Sequence, residues 1–129
     1  MPKKKPALPR PTDTELRLLN VLWHHGPSTV REVWTHLGSD VGYTTVLKLL
    51  QIMREKGLVL RDEQATSHVY AAALSETETQ TDLVGGFIDR VFGGSASRLV
   101  LHALGSKSVS PKELKAIREL LDQAEHDGK

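Results

Sequence analysis

Four polar residues recur on one side of the leucine-rich stretch VGYTTVLKLLQIMREKGLV, residues 41–59. At the pitch of an α-helix, Thr44, Lys48, Gln51 and Glu55 share a face, and Val46, Leu49, Leu50 and Met53 lie opposite. The first three are side chains that read nucleic acid. Lysine donates to guanine O6 and N7, glutamine pairs with adenine N6 and N7, and threonine offers a hydroxyl and a methyl. Tyr43 and Thr45 sit at the N-terminal end, the end that enters the groove in helix-turn-helix docking. Arg54 and Lys56 are placed for backbone phosphates. A Thr-Lys-Gln-Glu face is also what an ordinary solvated helix presents, so the surrounding elements have to decide between the two readings.

Those elements favour the groove. Thr12 and Glu15 form a capping box that opens a first helix, in which Leu16, Leu19, Leu22 and Trp23 share a face with Leu18 beside it. Gly26-Pro27 ends that helix. Ser28 or Thr29 caps a second helix, with Val30, Val33, Trp34 and Leu37 as its apolar stripe and Gly38 at its end. The turn Ser39-Asp40-Val41-Gly42 leads to the third helix, closed by Gly57. Residues 58–63 and 67–71 then read as two short strands around Gln64-Ala65-Thr66. Three helices followed by a hairpin is the order of a winged helix-turn-helix. Arg61 and His68 fall on the wing, where an arginine suits a minor groove or a phosphate. The acidic pair Asp62-Glu63 beside Arg61 works against that use. The amide ends of the first two helices, at Thr12 and at Ser28-Thr29, are further places for a phosphate, besides their capping role.

The second half is helical throughout. Ser75 and Glu78 repeat the capping box and open a helix carrying Leu83, Val84, Phe87, Ile88, Val91 and Phe92. Gly93-Gly94 breaks it, and Ser95 starts a short helix with Leu99, Val100 and Leu104. Ser110-Pro111-Lys112-Glu113 opens the last helix, with Leu114, Ile117, Leu120 and Leu121 apolar. Three short helices cannot enclose so many apolar side chains, and open apolar faces of this size mark a partner interface. A twofold homodimer covers them and sets two copies of the third helix about 34 Å apart, one turn of DNA. The other arrangement folds this half back on the first. Gly85-Gly86 inside the fourth helix costs roughly 2 kcal/mol against alanine; the pair either permits a close crossing or breaks the helix.

Composition narrows the function further. In 129 residues there is no cysteine, which excludes disulfides, thiolate metal sites and cysteine catalysis. No apolar run approaches the ~20 residues of a membrane span, and the basic start lacks the apolar segment of a signal peptide, so a cytoplasmic protein without membrane insertion is expected. Residues 1–74 hold ten Lys/Arg against seven Asp/Glu; residues 75–129 hold seven against nine. Residues 1–11, with four prolines among Lys3, Lys4, Lys5 and Arg10, read as a flexible basic arm. His24 and His25 are adjacent and point apart on a helix, while His36, His68, His102 and His126 are scattered without ligand spacing. No metal, cofactor or enzymatic site is expected. The division is then a basic arm (1–11), a winged-helix DNA-binding domain (12–74) and a helical dimerisation domain (75–129). The fold class is mainly α with a small β-hairpin. A winged-helix protein-interaction module is the competing reading, in which the third helix meets a protein.

The segments PTDTELRLLNVLW, GPSTVREVW, GYTTVLKLLQIMREKGLV, SHVYAA and VFGGSASRLVLHAL resemble the penicillinase-repressor family of the BlaI/MecI type, from about Pro11 to about Leu121. The resemblance implies a homodimeric bacterial winged-helix repressor. It implies a palindromic operator with TACA/TGTA-like half-sites, read by the helix from Tyr43 to Lys56, and dimerisation through the C-terminal helices. In the antibiotic-resistance members, a membrane sensor with a metalloprotease domain senses a β-lactam, and the repressor is then cleaved in its dimerisation region. Other family-like repressors control operons unrelated to β-lactams. The staphylococcal members are cut between Asn and Phe; the matching position here is His102-Ala103, a departure from that pattern. The cysteine motif of the related copper-responsive branch is absent, and the wing turn lacks the glycine common in the family.

Overall fold

The computed structural model describes residues 10–127 except residues 39 and 65. The expected basic arm therefore lies outside the described residues apart from Arg10 and Pro11, as do Ser39 and Ala65 of the two expected turns. In chain order the elements are α1 (Asp13–His25), β1 (Ser28–Thr29), α2 (Val30–Leu37), α3 (Tyr43–Lys56), β2 (Val59–Asp62) and β3 (Val69–Ala72). Helices α4 (Glu76–Val91), α5 (Ala96–Ser106) and α6 (Pro111–His126) follow. The chain divides into two compact units between Leu83 and Val84, inside α4 and later than the 74/75 boundary read from the sequence.

The first unit is built by its helix ends. In α1 and α2 the N-cap threonine hydroxyl accepts from the backbone of the third helical residue, whose glutamate accepts from the cap backbone: Thr12 with Glu15 and Thr29 with Glu32. At the end of α3, Gly57 takes a left-handed conformation (φ 85°), which costs glycine nothing. The Leu58 amide then donates to the Met53 carbonyl at 2.8 Å, turning the chain into β2 with Leu58 and Val59 buried. Both tryptophans fasten segments that lack regular structure. Trp23 Nε1 donates to the Leu74 carbonyl and Trp34 Nε1 to the Val41 carbonyl, each at 3.0 Å.

Two details depart from the sequence reading. The sheet has three strands in the order β1-β3-β2, all antiparallel, not two. Ser28 pairs with Tyr70 and Thr29 with Val69, while β2 and β3 pair from Val59↔Ala72 to Asp62↔Val69. A two-residue Ser-Thr strand has no apolar alternation to announce it. The buried stripe of α1 also differs. Leu18, Leu19, Val21 and Leu22 are buried, while Leu16 and Trp23 pack only partly against them. The stripe runs Glu15, Leu18, Leu19, Leu22, so it begins on a carboxylate that an apolar pattern omits. Leu49 of α3 is likewise half-buried, and Val46, Leu50 and Met53 carry the contact with the core.

In the second unit the expected helix starts hold. Ser95 caps α5 through the Arg98 amide, and Ser110 forms a capping box with Glu113. Helix α4 runs unbroken through Gly85-Gly86, so the pair does not break it, and a Cβ added at Gly85 meets open space. Among the described residues, no helix is long and apolar enough to cross a membrane.

Candidate nucleic-acid interface

Helix α3 presents its two faces as the periodicity requires. Val46, Leu50 and Met53 are fully buried, which fixes the rotation of the helix. Thr44, Thr45, Lys48, Gln51 and Glu55 are then exposed. The N-cap of α3 is Gly42, which brings no side-chain acceptor to the first-turn amides, unlike the caps of α1 and α2. Tyr43 stands edge-on to Trp34 with ring centroids 5.7 Å apart, and the Arg31 guanidinium lies 5.8 Å above the Tyr43 ring. Tyr43 is thereby held at the mouth of the helix.

Beside α3 opens a cleft of about 510 Å³, walled by the start of α2, the exposed side of α3 and the strands of the wing. It gathers Thr29, Tyr43, Gln51, Arg61 and His68 from the expected set, and adds Arg31, Ser67 and Tyr70. Arg31 escapes a periodicity argument because it follows the second cap on the exposed side of α2, where any polar residue fits. Its partner Tyr43 is the signal that marks it.

Other expected contacts are turned to structural work. Ser28 is buried in β1, and its hydroxyl donates to the Gly26 carbonyl at 2.8 Å, so it does not face a phosphate. Thr12 and Thr29 spend their hydroxyls on the Glu15 and Glu32 amides. Lys56 points at Glu15: its Nζ donates to both carboxylate oxygens at 2.9 Å. Glu15 is only 2 % exposed and also accepts from the Thr12 amide. A buried carboxylate requires a cation, which explains why the lysine is drawn away from the exposed face.

The wing arginine has a partner too. Arg61 Nε and Nη2 donate to Glu63 Oε2 at 3.0 and 2.6 Å, and Arg54 Nη2 reaches the same oxygen at 3.3 Å. The Arg61 hydrogen bond holds the Glu63 carboxyl below the usual carboxylate range, and Glu63, then Tyr70, raise Arg61. Asp62 accepts from the Gln64 amide at 2.9 Å and so shapes the wing turn.

The second unit, taken by itself, leaves its apolar side chains in view. Val84, Phe87, Val91, Val100, Leu104, Leu120 and Leu121 are exposed, and Ile88, Phe92, Leu99 and Ile117 are half-buried, as is Leu83 just before the division. Leu101, 72 % exposed, joins the set although its spacing drew no attention in the sequence. His102 and Ala103 are exposed in the middle of α5, and the His102 carbonyl accepts from the Ser106 hydroxyl.

Relatives match this chain almost end to end. It is 31 % identical over 122 residues to the transcriptional regulator BlaI of Mycobacterium tuberculosis, covering 92 % of this chain and 87 % of that one. It is 22 % identical over 118 residues to the penicillinase repressor of Bacillus licheniformis, covering 90 % and 92 %. A solution structure of the B. licheniformis BlaI monomeric form with the blaP half-operator aligns with a TM-score of 0.49 and 25 % identity, over 55 % of this chain and 89 % of that one. The penicillinase repressor family model matches residues 11–123. The chain thus belongs to the penicillinase repressor family, whose members are transcriptional repressors and not enzymes.

Proposed function

We propose that this protein is a homodimeric transcriptional repressor that reads a palindromic operator through α3. The observation that carries the reading is the rotation of α3. Fully buried Val46, Leu50 and Met53 force Thr44, Lys48 and Gln51 outward beside a cleft lined by Arg31, Arg61 and His68. Thr44, Thr45, Lys48 and Gln51 meet base edges in the major groove, Tyr43 stands at its entrance, and Arg54 and Arg61 meet phosphates. Family membership favours half-sites of the TACA/TGTA kind. The exposed apolar faces of α4, α5 and α6 form the twofold interface that spaces two α3 helices by one turn of DNA. Release by a membrane sensor protease is the regulation this family membership favours; His102-Ala103 stands where the staphylococcal members carry the Asn-Phe bond that is cut, and a cut at this bond departs from that pattern. That bond lies within continuous α5, so a protease reaches it only after local opening of the helix.

Fluorescence anisotropy with a labelled palindromic TACA/TGTA duplex and a scrambled duplex tests the reading. Lys48→Ala should weaken operator binding by about 5- to 100-fold and narrow the preference over the scrambled duplex. Adding Arg54→Ala should weaken both duplexes further. A double variant that binds the operator like the parent would remove α3 from the interface.

A further inference from the structure

The acidic residue beside the wing arginine has an unusual position. One oxygen of Glu63 takes three N–H groups from two arginines on two different elements, Arg61 on β2 and Arg54 in the last turn of α3. Carboxylate and phosphate oxygens are interchangeable to a guanidinium fork. We propose that Arg54 and Arg61 form a seat for one DNA backbone phosphate, and that Glu63 fills it with its own carboxylate until DNA displaces it. This rests on the DNA-binding reading above and adds what the wing does within it.

The two sides of the seat differ in how firmly they are held. Arg61 lies inside the β2–β3 ladder, opposite Tyr70, which is 1 % exposed, and its own side chain is only 18 % exposed. The Arg61 donors therefore stay put, whereas Arg54, 46 % exposed, completes the seat from the more mobile side. Glu63 lies beyond the last residue of β2 and is half exposed, so it swings away without breaking a ladder hydrogen bond. Exposed ion pairs of this kind are weak, and a polyanion exchanges with them readily. The neighbouring Asp62 does different work, since its carboxylate accepts from the Gln64 amide and pairs with neither arginine. His68 lines the same cleft as Arg61 and adds a third polar group next to the seat. An acidic pair that looks hostile to DNA is thus one turn-former and one stand-in for the phosphate. In the free protein it also keeps two arginines from gathering unrelated anions.

Anisotropy titrations across a range of salt test this on the full chain, with the TACA/TGTA duplex and the scrambled duplex. Glu63→Gln keeps the shape and removes the charge. It should tighten binding about three- to fivefold at low salt and steepen the slope of log affinity against log salt by about one unit. Both duplexes should respond alike, because the seat meets the backbone. Asp62→Asn removes the same charge one residue away and should give a clearly smaller change. In an Arg54→Met, Arg61→Met background, Glu63→Gln should have no effect. Superimposed slopes for parent and Glu63→Gln overturn the seat, as does an equal response from Asp62→Asn or a gain that survives loss of the arginines. If the parent binds neither duplex, the DNA-binding reading fails first and the seat falls with it.

Discussion

The two units contain similar apolar patterns and put them to opposite uses. In the first, helices α1, α2 and α3 close on one another and on the sheet, and the core is complete: Leu18, Val33, Val46, Leu50 and Met53 have no exposed surface. In the second, no residue of α5 or α6 is buried, and Leu120 is 69 % exposed. A 3.6-residue repeat shows that a helix has an apolar face and says nothing about what covers it. In the first unit the cover is within the chain. In the second the apolar side chains stay exposed, which is the physical ground for the proposed dimer.

The largest effect should come from charging that open face. Val91→Glu with Leu120→Glu should halve the mass found by sedimentation at micromolar concentration. With the link between two reading heads lost, operator affinity should fall about 100-fold or more, while the helical signal of the first unit persists. A parent that sediments as a monomer would break the contrast between the units. An unchanged dimer in the variant would move the interface to another face.

The core of the first unit should respond in a different way. Leu50→Ala removes a fully buried side chain and should cost about 2–5 kcal/mol in urea unfolding. That loss should not depend on protein concentration, whereas the charge variants of the second unit should act through association. A cost below about 1 kcal/mol would mean that α3 is not seated on the core by Leu50.

What the sequence disclosed follows the same division. The caps at Thr12, Ser75, Ser95 and Ser110 were legible, because a capping residue and its partner lie three positions apart in the chain, and of the pair Ser28-Thr29 it is Thr29 that caps α2. The exposed face of α3 was legible because burial of Val46, Leu50 and Met53 leaves it no other orientation. The features that hid depend on residues distant in sequence. Ser28-Thr29 becomes a strand only because Tyr70 and Val69 come to lie beside it. Glu15 and Lys56 are 41 positions apart, so neither a buried glutamate nor a lysine withdrawn from the exposed face of α3 leaves a local trace.

That pair sets Lys56, expected from the sequence to meet phosphate, apart from Lys48 on the exposed face of α3. Lys56→Met should leave the Glu15 carboxylate buried without its cation and cost about 1–3 kcal/mol of stability. Glu15→Gln in the same chain should return part of that loss. The salt dependence of DNA binding should stay as in the parent, because Lys56 is spent on Glu15. If Lys56→Met lowers the salt slope by about one unit while stability is untouched, the lysine faces phosphate after all.

The smallest effect expected is a pH dependence that again falls unevenly on the two units. In the first, Arg17 grips Asp40 with bonds of 2.9 and 3.1 Å and also donates to the Leu37 carbonyl, tying α1 to the end of α2. The Arg17 hydrogen bond holds the Asp40 carboxyl below its ordinary value. Glu63 and Glu78 are lowered as well, by Arg61 and by the Ser75 cap. In the second unit Glu113 is lowered by its bonds to Ser110. A carboxyl lowered in the folded state stabilises fully above its unfolded value, about 4, and loses that contribution as pH falls through the lower folded value. Melting curves of parent and Asp40→Asn should therefore differ at pH 7 and draw together as the pH falls below the ordinary carboxylate range. All four groups are exposed, so the difference at pH 7 should be small and should shrink in added salt. A gap that keeps its size as the pH falls would show that Asp40 acts through the shape of the α2–α3 turn, without its charge.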